Sequence, residues 1–234
     1  MQSQPVGHIF SRSWQLLTNN WVLLVPGLLI GVVSGILSWL LVPADNPETV
    51  PGIIRQLGLQ FLSGIIVLVA QIATTAYTTG MAGVAWTRQK TTLAAGRDAF
   101  AREGVNVFVA MIGLGIIGVV AIVLAPPTLG ISLLAYYLLS LYTMPSAVVG
   151  ERPGLRALQE SFSIAIERFF PTLLIAILLG VVYLLVGLLA GLVAAAPLVG
   201  LVGSAIIIQC VTAFATLVVV GEYLAFRASS RRVV

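Results

Sequence analysis

Residues Phe169–Gly221 read FFPTLLIAILLGVVYLLVGLLAGLVAAAPLVGLVGSAIIIQCVTAFATLVVVG, a run of 53 residues without an Asp, Glu, Lys or Arg. One helical crossing of a bilayer needs about 20 apolar residues. The run is therefore long enough for two crossings, and Ala196-Pro197 marks the turn between them. We expect an outward helix over 169–196 and a returning helix over 198–226.

The composition of the whole chain points to the same class of protein. Of 234 residues, 59% are hydrophobic and 9% are charged, whereas soluble domains carry about 25% charged residues. The apolar residues fall into four charge-free windows, at 13–44, 56–87, 104–150 and 169–221. Spanning segments must be helical here, because an open sheet would leave backbone groups unpaired in lipid. The sequence predicts an all-α integral membrane protein.

The lengths of the windows set the number of crossings. The first two windows hold one helix each, and the third holds two that are separated by Pro126-Pro127. We therefore expect a single membrane domain over residues 1–234 with six transmembrane helices. Their predicted spans are 21–42, 58–86, 105–125, 128–149, 169–196 and 198–226.

The basic residues predict the orientation. Six crossings put both termini on one side, and eleven of the twelve Lys and Arg residues lie in segments on that side, with Arg55 alone on the other. The positive-inside rule assigns such segments to the cytoplasm. We expect a multi-pass protein with both termini cytoplasmic. No basic patch is interleaved with exposed aromatic residues, so no nucleic-acid partner is predicted.

Three shorter segments have the pattern of amphipathic surface helices on the cytoplasmic side, at residues 5–20, 92–103 and 154–168. In the first, Val6, Ile9, Phe10, Trp14 and Leu17 recur at helical spacing. The alternative for this segment is a cytosolic extension of the first span. In the third, acidic and basic residues are nearly balanced, which favours packing beneath the bundle over attraction to anionic lipid.

These segments line up as an internal repeat. Each contains an aromatic residue, a polar residue follows six positions later, and an apolar helix begins directly after it. The equivalent pairs are Trp14 and Asn20, Phe100 and Asn106, and Phe162 and Arg168. The pattern predicts three parallel repeats of a surface helix plus a helical hairpin, related by a quasi-threefold axis along the membrane normal. The alternative is a chance likeness between segments of low complexity.

Two regions of the sequence carry a family resemblance. The first is Phe10–Asn20 (FSRSWQLLTNN), and the second is Gly150–Ser161 (GERPGLRALQES) with the following Ile166-Glu167-Arg168. Both resemble the membrane domain of glycerophosphoryl diester phosphodiesterases and related uncharacterised bacterial six-span families. The resemblance implies a helical module in the bacterial cytoplasmic (inner) membrane. In those phosphodiesterases the chemistry belongs to an appended soluble barrel. This chain ends at Val234, so we expect no such barrel and no hydrolase activity.

Candidate residues for catalysis are scarce. The chain has one histidine, His8, and one cysteine, Cys210, so neither a catalytic triad nor a histidine-based metal cluster can be assembled from them. Glu160 and Glu167 are seven residues apart on one helix face, where basic neighbours predict surface ion pairs. We expect no enzyme activity, no catalytic residue, no cofactor and no metal.

The polar residues inside the predicted membrane region are also few: Gln71, Gln209 and Glu222. Ionisable residues in a membrane usually mark ion or proton pathways, and none lies near the middle of a predicted span. We expect Gln71 to bond another helix rather than a substrate, and Glu222 to pair with a nearby arginine such as Arg227. A transport pathway would require a solvent-accessible cavity at Gln71 and Gln209.

Small residues provide the remaining signal. Gly27, Gly31 and Gly35 share one face of the first span, and Gly187 and Gly191 share one face of the fifth. Such faces let another helix approach closely, within or between chains. The sequence therefore favours a non-catalytic scaffold, assembly factor or accessory subunit, with membrane lipids and other membrane subunits or a second copy as partners. The alternative is a transporter or a pathway for lipid or another apolar molecule.

Overall fold

A computed structural model describes residues 6–41, 50–194 and 199–230 of this chain, and every regular element in those ranges is helical. A short 3₁₀ segment, Trp21–Leu24, precedes the second α-helix. The α-helices are α1 (Val6–Asn19), α2 (Val25–Leu41), α3 (Val50–Arg88), α4 (Leu93–Leu124), α5 (Ile131–Ser140), α6 (Thr143–Val148), α7 (Leu155–Glu167), α8 (Phe169–Ala194) and α9 (Val199–Ser230).

Five of these helical segments are long and apolar enough to cross a membrane: α3, α4, α5 together with α6, α8 and α9. A sixth candidate is the pair formed by Val6–Asn19 and Trp21–Leu37, whose axes are bent by 92°. The prediction of an all-helical membrane protein is therefore confirmed, with five to six candidate spans. Residues 42–49, between α2 and α3, lie outside the described residues. Helix α3 begins at Val50, eight residues before the predicted span 58–86, and includes Arg55.

The bend between α1 and α2 is produced at Asn20. Its backbone leaves the helical region, with φ −134° and ψ 59°, and its side chain is 5% exposed. The amide nitrogen donates to the carbonyl oxygens of Leu16 and Gln89, both at 3.0 Å, and the amide oxygen accepts from the Thr91 N–H at 3.0 Å. One side chain thus ends α1 and attaches it to the turn between α3 and α4.

The second predicted surface helix has a different arrangement. Residues 92–103 and the predicted span 105–125 form one continuous helix, α4, which is about 48 Å long at 1.5 Å per residue. In the predicted repeat, Asn106 of α4 is equivalent to Asn20. The Asn106 amide donates to the Glu103 carboxylate one turn earlier at 2.9 Å. Because that bond stays within the helix, nothing at Asn106 interrupts it.

The predicted span 128–149 is divided into α5 and α6. Pro145 lies in the first turn of α6, and a proline ring clashes with the carbonyl group four residues earlier in a regular helix. The residue four positions before Pro145 is Leu141, where the helix is interrupted. A proline at that position therefore accounts for the break.

The helices surround α9, which packs against α1, α2, α3 and α8, while α4 packs on α3 and α5 contacts α4, α7 and α8. Large buried side chains concentrate at the end of the bundle that carries α1, α6 and α7, here called the base: Ile9, Leu16, Met81, Tyr142, Ile164, Leu217 and Tyr223. The opposite end, here called the open half, comprises residues 29–41, 50–70, 112–134, 184–194 and 199–208. In the most apolar 18-residue window of α3, no residue is buried.

Candidate functional site

The glycine face of α2 lies against α9. A Cβ added to Gly27 would be 3.1 Å from the Gln209 Cβ, one added to Gly31 would be 3.3 Å from the Ala205 backbone carbon, and one added to Gly35 would be 2.8 Å from the Val202 Cα. Larger residues would push the two backbones apart. Around Gly187 and Gly191, an added Cβ would meet no described atom within 4 Å. The described helices therefore leave that face of α8 uncovered.

Gln71 and Gln209 bond each other. The Gln209 amide nitrogen donates to the Gln71 oxygen at 2.9 Å, and the reverse contact measures 3.5 Å. The gap beside them has a volume of about 10 Å³, which is about the least that a water molecule needs. This pair is an interhelical bond between α3 and α9, and no solvent-filled path passes it among the described residues.

Glu222 pairs with an arginine, as expected, but this arginine is Arg168 and not Arg227. The Arg168 guanidinium donates to the Glu222 carboxylate at 2.9 Å, and Arg227 lies over the Tyr223 ring, 5.8 Å from its centroid. Residues five apart on a helix do not share a face, so Arg227 points elsewhere. Side chains of the pair are 18% and 3% exposed, and they join the α7–α8 junction to α9.

Glu160 also lies in the base, where it makes hydrogen bonds in addition to the predicted ion pair. Its carboxylate accepts hydrogen bonds from Ser146, from the Tyr223 hydroxyl at 3.2 Å and from Arg152 at 3.1 Å. The hydrogen bond to Glu160 and the carboxylate charge raise the pKa of Arg152 above its ordinary value. These partners are 14, 63 and 8 residues away, so no local pattern predicted them. Glu160 joins α7 to α6 and α9.

A cleft, here called the central cleft, opens between α3, α5, α6, α8 and α9 above the base. Its volume is about 480 Å³, within the usual range of about 300–1,000 Å³ for ligand sites. Apolar groups of Leu141, Met144, Leu179, Ala215 and Val219 form much of its wall. Gly180 also lines it, and an added Cβ there would meet no described atom within 4 Å.

None of the described residues that line the central cleft carries a charge. Its main polar groups are six hydroxyl groups, those of Thr75, Thr79, Tyr137, Tyr183, Thr212 and Thr216. The Tyr183 hydroxyl donates to the Thr212 oxygen at 3.2 Å. This site was not predicted from the sequence. The four-residue spacing of the threonines on α3 and on α9 was the signal that two hydroxyl-bearing faces exist.

The remaining candidate residues do not gather into a chemical site. His8 is exposed on α1, and Cys210 is half-buried in α9. Among the described residues, no group of three or more His, Cys, Asp or Glu side chains is placed to hold a metal ion. The described walls of the central cleft are apolar apart from hydroxyl groups, and they present no acid, base or nucleophile beyond those hydroxyls.

Comparison with protein-family models, with curated proteins and with solved structures finds no match to this chain.

Proposed function

We propose that this chain is a non-catalytic six-span membrane protein that binds the hydrocarbon chain of a bilayer amphiphile in the central cleft. The observation that carries the proposal is an uncharged cleft of about 480 Å³ at the depth of the spanning helices. The largely apolar lining of this cleft suits a flexible hydrocarbon chain.

The proposal includes an orientation with the base on the cytoplasmic side. The described basic residues other than Arg55 lie at the base: Arg12, Arg88, Lys90, Arg97, Arg102, Arg152, Arg156, Arg168 and Arg227. Trp14 and Trp21 are 60% and 70% exposed there, and tryptophan is enriched at membrane interfaces. Location in a bacterial cytoplasmic membrane follows from the family resemblance, which stays a prediction.

The topology has a direct test. Single cysteines at Asn46 and at Ser230, each in a Cys210→Ser background, are expected to react with a membrane-impermeant maleimide from opposite sides of the membrane. Six spans with cytoplasmic termini require Ser230 to label from the cytoplasm. Labelling of both positions from one side would overturn the six-span arrangement.

We further infer that the first and third predicted repeats are equivalent. Asn20 and Arg168 each separate a surface helix from a span. Their backbone angles are similar, with φ −134° and ψ 59° at Asn20 and φ −119° and ψ 45° at Arg168. Each side chain also bonds to the returning part of its own unit, at Gln89 and at Glu222 respectively. The corresponding Asn106 lies within the unbroken α4, so the second unit lacks this break.

Chain binding is tested with a cleft-filling variant. Gly180→Leu extends a side chain into the central cleft, whereas Gly187→Leu places the same side chain on the uncovered face of α8 and serves as the matched control. Nanodiscs carrying the full chain are expected to bind a tritiated amphiphile with an oleyl chain saturably, and to retain more of it than empty nanodiscs do. Gly180→Leu should abolish this retention and Gly187→Leu should preserve it. Equal retention by all three proteins would refute the proposal.

An accessory-subunit role is the second candidate. The observation that favours it is the α8 face around Gly187 and Gly191, which no described residue covers and which allows close approach of another helix. Under this proposal, Gly187→Cys and Gly191→Cys should form disulfide-linked or partner-linked products in membranes on mild oxidation, in a Cys210→Ser background. Monomeric, unlinked protein at both positions would remove this role.

A further inference from the structure

The hydroxyl groups in the central cleft differ in what remains available for a ligand. Each of the four threonine hydroxyls donates to a carbonyl oxygen of its own helix: Thr75 to Gln71, Thr79 to Thr75, Thr212 to Ile208 and Thr216 to Thr212, at 2.7–3.0 Å. Tyr183 donates to Thr212. The hydroxyl of Tyr137 on α5 has no hydrogen-bond partner among the described residues, and 36% of this residue is exposed.

An unpaired hydroxyl is costly in this position. Inside a bilayer there is no bulk water to satisfy a polar group, so such groups normally find a protein partner. Tyr137 lies in the wall of a cleft large enough for a ligand. A ligand oxygen in the cleft would provide the partner that the protein does not.

The walls also restrict the charge of that ligand. No described residue lining the central cleft is Lys, Arg or His, so a phosphate or carboxylate there would have no counter-ion, which is strongly unfavourable away from water. Arg168, which belongs to the base, is already paired with Glu222 at 2.9 Å. The chemistry of the cleft thus suits a hydrogen-bond acceptor without charge.

We infer that the central cleft selects a single-chain amphiphile with an uncharged oxygen head group, and that Tyr137 donates the hydrogen bond that recognises this oxygen. The inference rests on the proposed function, since it specifies the head group of the chain bound there. A long-chain alcohol represents the class. Its alkyl phosphate differs from it only in the charged group.

The test compares tritiated oleyl alcohol with oleyl phosphate in nanodiscs carrying the full chain. Oleyl alcohol is expected to bind at least tenfold more tightly than oleyl phosphate. Tyr137→Phe removes the hydroxyl and keeps the ring, and it should weaken oleyl alcohol binding about threefold to tenfold, as expected for one hydrogen bond. Binding of oleyl phosphate should not change. Tyr136→Phe, on the neighbouring position of α5, is the control for general effects on the helix.

Equal or tighter binding of oleyl phosphate would overturn the inference, as would unchanged oleyl alcohol binding by Tyr137→Phe. The Gly180→Leu variant separates this failure from failure of the proposed function. If Gly180→Leu still abolishes retention of both probes, the cleft binds chains without selecting their head group. If Gly180→Leu retains both probes, chain binding in the cleft is itself refuted.

Discussion

The base and the open half of this molecule are packed differently. In the base, Tyr142, Leu217 and Tyr223 are fully buried, and the Arg168–Glu222 pair and the Glu160 hydrogen bonds connect α6, α7, α8 and α9. In the open half, Phe61 is 73% exposed and Leu192 is 76% exposed. Apolar residues alone therefore do not determine where these helices pack.

The physical reason is the solvent. In lipid, burying an apolar side chain against another helix gains little, because the lipid chains are equally apolar, and association depends on close packing and polar bonds. The base has both kinds of contact. In the open half the glycine face of α2 packs closely against α9, but many large apolar side chains are exposed. The central cleft lies where these two regimes meet.

The largest expected effect comes from separating the buried ion pair of the base. Arg168→Met leaves Glu222 buried without a counter-ion, and breaking such a pair costs about 3–5 kcal/mol. We expect the free energy of unfolding, measured by titration with sodium dodecyl sulfate, to fall by about 3 kcal/mol, at the lower end because Arg168 is partly exposed. The double variant Arg168→Met/Glu222→Gln should recover most of this loss. A free energy of unfolding for Arg168→Met within about 1 kcal/mol of the wild-type value would show that the pair contributes little to stability.

The second effect tests the close packing of α2 against α9 in the open half. Gly35→Leu puts a side chain where even a Cβ would be 2.8 Å from the Val202 Cα, and overpacking typically costs about 1–3 kcal/mol. The expected loss in the same titration is about 2–3 kcal/mol. Gly187→Leu, on the uncovered face of α8, should change stability by less than about 0.5 kcal/mol. Equal losses would mean that both faces are packed.

A third prediction concerns the side chain that attaches α1 to the base. Asn20→Ala leaves the buried Thr91 N–H without its acceptor, and an unsatisfied buried group costs about 1–3 kcal/mol. We expect a loss of about 2 kcal/mol and faster proteolysis within α1. Asn106→Ala, at the equivalent position of α4, should cost less than about 0.5 kcal/mol, because its bond stays within one helix. Similar losses at both positions would favour three equivalent repeats.

The smallest effect is expected at the paired amides. A double-mutant cycle with Gln71→Leu and Gln209→Leu should give a coupling energy of about 0.6 kcal/mol, the average for interhelical hydrogen bonds in a membrane. A coupling energy near zero would show that the 2.9 Å contact contributes nothing to stability. Neither variant should alter retention of an oleyl probe, because neither amide lines the central cleft.

Some of this organisation was predictable and some was not. The charge-free windows predicted helical spans, and the glycine spacing predicted that one face of α2 could approach another helix. The continuity of α4 was missed because the repeat suggested a break at Asn106. The helix is broken at the equivalent positions Asn20 and Arg168, whose side chains bond residues far away in the chain. Asn106 bonds only within α4. The break before α6 was missed although Pro145 stood in the sequence as its signal.

By itself, the sequence determined the class of this protein, since long runs without charge can be stable in a bilayer only as helices whose backbone groups bond internally. Starting from Phe169–Gly221, it also predicted the final two spans. The tertiary structure decided which residues meet: Arg168 with Glu222, Glu160 with Ser146 and Tyr223, and Tyr137 with the open space of the central cleft. Those contacts join residues that are far apart in the chain, and in a uniformly apolar sequence no local pattern distinguishes a wall facing lipid from a wall facing a cleft.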